Sequence, residues 1–316
     1  MKLCGAAYHP NMISHPELDR FYENLVSNFR ANGGVCAITS GMACVQYDVA
    51  QATKDCDVLC AAEFDELFLD QLEKTKFGGA NCSYRGHLTP PLDARWMRGG
   101  WTSHFEWKRE EGVAHLDVFG VAPRASSPWT ADIRGLLAGM HTVAEMKRTD
   151  RQKDWPFATA LGVKLLDAGD LRGWLHLFDV DVIRQMAARV PCPPNIVAQR
   201  PVLELLTTDD PRLEVAVFAE AMFWQRLDRL RLRIHESFMR RFRSVVTKDP
   251  DVDHHDLRIQ HRVRLQHAFD YLPPNPLRDY GIDRLVAEAR EETLRFVVQG
   301  SLDWLPDASR NFVGLA

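Results

Sequence analysis

Apolar residues recur at helical spacing from Leu18 through Phe21, Leu25, Val26 and Phe29, so the chain opens on an amphipathic helix over 17–31. Asn32-Gly33-Gly34 ends it, because glycine tolerates the positive φ of a helix C-terminus. Val35 to Thr39 then reads as a short buried strand, 41–50 as a helix, and 55–61 as a second strand with one apolar side. Leu67, Phe68 and Leu72 set another amphipathic helix within 64–74. The pattern loosens over 82–107, where Pro90-Pro91, Gly99-Gly100 and scattered aromatic residues predict extended segments and turns. A cleaner strand covers 113–120, and Pro123-Arg124 with Ser126-Ser127-Pro128 is the expected end of the sheet.

Beyond Trp129 the periodicity becomes long and helical, most clearly through Phe223, Leu227, Leu230, Ile234, Phe238, Phe242 and Val245. Segments 248–253 and 273–276 read as turns between helices, and the tail past Pro306 is expected to be poorly ordered. The expected architecture is α+β: a mixed sheet flanked by helices over 1–128, followed by a mostly α-helical region over 129–316.

The 316 residues suffice for one large domain or two ordinary ones, with the charged and apolar fractions of a globular protein. There is no apolar run of membrane-spanning length, and the N-terminus lacks a basic segment followed by an apolar one, so a cytoplasmic location with no membrane partner is expected. The seven cysteines, Cys4, Cys36, Cys44, Cys56, Cys60, Cys82 and Cys192, form no Cys-x-x-Cys pair, and several lie in apolar runs; neither disulfides nor a structural zinc is expected. A net charge of −4 means that any binding of nucleic acid must use a local patch.

The chemistry concentrates in Asp55-Cys56-Asp57. In a strand, side chains two apart share a face, so both carboxylates present to one groove while Cys56, Val58 and Cys60 point into apolar packing. Asp117, central in the 113–120 strand, can join them around one or two magnesium ions, at the roughly 2.1 Å that magnesium requires of its oxygen ligands. Such a site suits nucleotidyl transfer, in which catalysis is positioning plus charge stabilisation on a triphosphate. Ser40-Gly41, opening the intervening helix, supplies a hydroxyl and free backbone N–H groups for phosphate oxygens; without a Walker lysine it is not a P-loop. Each feature also has a plainer reading: a solvated strand edge for Asp55 and Asp57, an ion pair of Asp117 with Arg124 or Lys108, and an ordinary N-cap for Ser40.

These residues in this order resemble the polymerase-β type nucleotidyltransferase superfamily, and within it the AbiEii-like toxins of bacterial type IV toxin-antitoxin systems. The family's Gly-Ser or Gly-Gly turn, helix and Asp-x-Asp are similar to Ser40-Gly41 with Asp55-Cys56-Asp57, and its third carboxylate is similar to Asp117. The lysine-rich motif of that branch resembles Lys147-Arg148-Thr149-Asp150-Arg151-Gln152-Lys153-Asp154, with Trp155-Pro156-Phe157 standing where branch members commonly carry a further acidic residue. The resemblance implies a magnesium-dependent transferase that moves a nucleoside monophosphate from an NTP to an RNA acceptor such as a tRNA 3′ end, with a cognate antitoxin as partner. Asp55, Asp57 and Asp117 would hold the metal; Ser40, Gly41, Lys54, Lys147, Arg151 and Lys153 would contact the nucleotide, and Asp154 would orient the basic side chains. An acceptor of the small antibiotic type, or a silent nucleotide-binding protein that kept the fold, are the alternatives.

Three further clusters stay open at this level. Arg226, Arg229, Arg231, Arg233, Arg240, Arg241 and Arg243 crowd one long helix, as an RNA-gripping surface or as a solvated face neutralised by carboxylates such as Asp228 and Glu236. Trp101, Phe105, Trp107 and Arg98 can serve a base-stacking cleft or the core. His254, His255, His261 and His267 bunch too closely, without distant partners, to suggest a metal site.

Overall fold

The computed structural model describes residues 13–86, 89–208 and 210–315. Eight strands form one mixed sheet in the order β3-β4-β5-β6-β2-β1-β8-β7, with β1 Cys36–Thr39, β2 Asp55–Cys60, β3 Lys76–Phe77, β4 Ala80–Tyr84, β5 Thr102–Arg109, β6 Gly112–Phe119, β7 Ile133–Arg134 and β8 Leu137–Ala138. The first helices are α1 His15–Ala31, α2 Ser40–Gln46 and α3 Asp65–Lys74, followed by the single turn α4 Ala94–Met97. The α+β expectation therefore holds at the level of a mixed sheet with helices.

Period-two alternation sorts the central strands into two faces. Cys36, Ile38, Cys56, Val58, Leu116, Val118 and Phe105 pack with Tyr22, Leu25, Phe29 of α1 and Phe68, Leu72 of α3 in one core. On the other face, Ala37 and Leu59 pack with Val143, Ala144 and Met146 of α5 Met140–Met146. That second face changes from apolar to charged along β2, from Leu59 to Asp57 and Asp55.

The sheet does not end at Ser126-Ser127-Pro128. The hairpin β7–β8 adds to its far edge, with Ile38 of β1 paired in parallel to Leu137. Two strands of two residues each, joined across Gly135 at φ 58°, carry no periodicity long enough to read. The stretch 82–107 is likewise more regular than its composition suggested: it supplies β4, β5 and α4, and Trp101, Phe105 and Trp107 are buried in the core, so they form no base-stacking cleft.

The helical half comprises α6 Trp155–Asp167, α7 Val180–Ala187, α8 Pro194–Val197, α9 Glu204–Thr207, α10 Leu213–Val246, α11 Leu257–Tyr271, α12 Pro276–Tyr280 and α13 Ile282–Leu294. The 34-residue α10 is its spine, packing Phe223, Trp224 and Leu227 against Leu285 and Ala289 of α13. Helix α11 returns to the sheet, where the side-chain oxygen of Gln260 accepts from the Tyr84 N–H at 2.9 Å and His261 Nδ1 lies 2.8 Å from the Tyr84 hydroxyl. The tail is ordered rather than frayed: Ala308, Phe312 and Leu315 are buried with the α10 and α13 core. Among the described residues no helix is long and apolar enough to cross a membrane. Six cysteines are free thiols, as expected, and Cys4 lies outside the described residues.

Candidate active site

Strand β2 lies between β1 and β6, and its parallel register with β6 sets Asp57 opposite Asp117 and Asp55 opposite His115. Antiparallel β5 places His104 opposite Asp117 and Glu106 opposite His115. Two polar rows thus cross one face of the sheet: Thr39, Asp57, Asp117, His104, and beside it Asp55, His115, Glu106. The three aspartates expected to converge do share a face on adjacent strands.

Each carboxylate has a partner. The Ser40 hydroxyl hydrogen-bonds Asp57. Asp55 lies 3.1 Å from His115 Nδ1, a hydrogen bond that holds its carboxyl below the usual range. Asp117 Oδ1 is 2.6 Å from His104 Nδ1 and 3.2 Å from Arg85 Nη2. Arg124 and Lys108, the partners considered for Asp117 from sequence, are engaged elsewhere, with Asp228 and Glu106. Burial first, and the neighbouring Asp117 charge second, push the Asp57 carboxyl up to about 6, against the opposing effects of the Ser40 bond and Lys147. Unrelieved repulsion between two facing carboxylates is what a bound cation would remove, and in this respect the donor set fits magnesium. Among the described residues, however, no three His, Cys, Asp or Glu side chains are grouped ready to hold a metal ion. His104 and Arg85 both contact Oδ1 of Asp117, so an ion here would share that carboxylate with them.

Ser40 takes φ 54°, a left-handed conformation uncommon for a residue other than glycine, at the first position of α2. Gly41 follows because a Cβ there would stand 2.7 Å from Thr53 Oγ1. At seven residues α2 is shorter than the 41–50 expectation, since Tyr47 leaves the helix and Asp48 turns at φ 53°.

Lys147, just past the C-terminus of α5, is buried with Nζ 3.7 Å from Asp154 and 5.6 Å from the Phe157 ring centre. Its charge acts on both Asp57 and the buried thiol of Cys44. Asp154 is itself held by the Thr149 hydroxyl at 2.7 Å and by Arg151 Nη2 at 2.7 Å, so it positions Lys147 from behind. The fold therefore brings Ser40, Gly41 and Lys147 to the aspartates. Arg151 serves Asp154 instead, Lys54 is exposed with its charge acting on Asp55, and Lys153 is exposed. Arg85, His104 and His115 were missed; the alternation His104-Phe105-Glu106-Trp107 was the available signal, hidden by reading 82–107 as loose. No family model, no curated protein and no solved structure matches this chain.

The other clusters resolve structurally. On α10, Arg231 binds Asp228, Arg233 binds Glu292, Arg243 binds Glu236, Arg229 lies 3.9 Å from Asp150, and Arg226 covers the Phe296 ring. His267 Nε2 is 3.1 Å from Asp249, and His261 belongs to the Tyr84 contact.

Proposed function

We propose that this chain is a magnesium-dependent nucleotidyltransferase moving a nucleoside monophosphate from an NTP to an RNA acceptor. The observation that carries the reading is the in-register pairing of Asp57 with Asp117, two residues from Asp55, with Ser40 bonded to Asp57 and the Lys147 charge acting on it. Asp55, Asp57 and Asp117 would hold the metal, which supplies neutralisation of triphosphate charge. In the transfer, an acceptor hydroxyl oxygen forms a bond to the α-phosphorus, the bond from that phosphorus to the bridging oxygen breaks, and pyrophosphate leaves. Asp117, oriented by His104, takes the hydroxyl proton. Lys147, fixed by Asp154, meets the phosphate charge from a buried position where its attraction is little screened by water, and the Ser40 hydroxyl exchanges its bond to Asp57 for one to a phosphate oxygen. The RNA acceptor and an antitoxin partner rest on the resemblance of the Lys147 to Asp154 motif.

One observation favours a second reading, a catalytically silent nucleotide-binding protein: the engagement of Asp117 by Arg85 and His104. Incubation with each labelled NTP, magnesium and total tRNA separates the two. Label on RNA that disappears in Asp57→Ala supports the transferase; label that survives the substitution, or NTP binding without transfer, rules it out.

A further inference from the structure

His141, Glu145 and Arg148 follow one another along one side of the α5 region and line a cavity of about 420 Å³, closed by α10 and by the C-terminal segment. Four arginines border it, Arg148, Arg172, Arg200 and Arg310, against three carboxylates, Glu145, Glu220 and Asp307. We propose that this cavity binds a small phosphorylated molecule, with Arg148 as the principal phosphate ligand, at a site distinct from the aspartate cluster and independent of the transferase reading.

The carboxylates are already committed. Glu220 takes the Arg200 guanidinium, with Nη2 and Nε each at 2.9 Å. Glu145 accepts from the Ser126 hydroxyl at 2.5 Å and from the Ser126 N–H at 3.1 Å, and Asp307 pairs with Arg310 at 2.9 Å. Arg148 differs from the rest. It is 4% exposed, no carboxylate lies within ion-pair reach of it among the described residues, and its Nε has no hydrogen-bond partner. Its Nη2 donates only to uncharged acceptors, the Leu175 carbonyl at 3.1 Å and His176 Nδ1 at 3.0 Å. Its guanidinium lies over the Trp224 ring at 5.0 Å and feels Glu145 and Glu220 only from beyond ion-pair distance, so burial outweighs them and an anion in the adjoining cavity relieves the cost.

The histidines cannot supply that anion. Arginine only donates, so His176 accepts at Nδ1 and must carry its proton on Nε2, which then donates to His141 Nδ1 at 2.9 Å. His141 accordingly carries its proton on Nε2, 3.5 Å from Ser126 Oγ at the cavity wall. The relay ends as a donor that faces Glu145 Oε1 at 3.6 Å as well as Ser126, not as an acceptor. Burial keeps both rings neutral, holding His141 below and His176 well below the ordinary histidine range. A guanidinium fork matches phosphate geometry, and the volume suits a ligand larger than bare phosphate, with Leu175, Ala198 and Pro306 supplying apolar wall.

Calorimetric titration of the full chain with inorganic phosphate, with glucose 6-phosphate and with succinate tests this. Saturable binding of both phosphates is expected, tighter for the sugar phosphate, weakened at least tenfold in Arg148→Gln and several-fold in Arg310→Ala, and retained in Lys147→Gln. Arg310 is a surface side chain, 74% exposed, so its variant keeps the test valid should Arg148→Gln fail to fold. No saturable binding, equal binding by succinate, unchanged binding in Arg310→Ala, or loss of binding in Lys147→Gln would each overturn the proposal.

Discussion

Asp57 concentrates the physical tension of the candidate site. Its carboxyl titrates near 6 in the fold against an unfolded value near 3.8, so the native state holds its proton more tightly. The stability this group contributes is full below about pH 4 and is lost as pH rises through 6, because ionising a buried carboxyl, and secondly one beside Asp117, then opposes folding. A shift of this size corresponds to on the order of 3 kcal/mol. Asp57→Asn should therefore raise stability by about that much at pH 7.5, and by little at pH 4, measured by denaturant titration at both values. Magnesium should stabilise the wild-type protein at pH 7.5 and leave Asp57→Asn nearly unchanged in a thermal melt. The residue types of the site were legible because Asp55-Cys56-Asp57 and His115-Leu116-Asp117 alternate with apolar neighbours, which assigns their faces. Their partners were not: which ion pair Asp117 makes depends on the register of β5, and no local pattern encodes that.

At the scale of elements, the helices and strands of the clearest pattern lie where expected, whereas β4 and β5 were read only as loose extended segments. Helices α1 and α3 and strands β1, β2 and β6 lie within a few residues of their expected bounds, whereas β7, β8 and the tail were lost. The tail makes the reason clear, since Ala308, Phe312 and Leu315 are too sparse to mark an element and are buried only by partners on α10 and α13. Phe312→Ala should cost about 3–5 kcal/mol, read from chemical denaturation. A loss under about 1 kcal/mol would mean the tail is only loosely docked. Asp154 offers a matching test at the site: Asp154→Asn should lower transfer by about tenfold through a misplaced Lys147, with the larger part of the loss in kcat.

At the scale of the whole molecule, one buried carboxylate ties the sheet to the helical half. Asp228 of α10 receives the Arg124 guanidinium from the loop after β6, Arg231 at 3.0 Å and the Asp150 N–H at 3.0 Å, and Arg124 also donates to the Met146 carbonyl at the end of α5. Removing it leaves Arg124 buried and unpaired, so Asp228→Ala should cost about 3–5 kcal/mol and disturb Lys147 through Met146. The expected division at 128 coincides with a change in composition, but the sheet takes β7 and β8 from beyond it, and α11 returns to β4. The proposed site depends on Asp55, Asp57 and Asp117 sharing one divalent ion, with His104 and Arg85 held at Oδ1 of the third. Titration of the protein with manganese in the presence of a non-hydrolysable NTP, followed by electron paramagnetic resonance, tests this most directly. Saturable manganese binding is expected in the wild type and is lost in both Asp57→Asn and Asp117→Asn; binding that survives Asp117→Asn, or none in the wild type, overturns the shared-ion site.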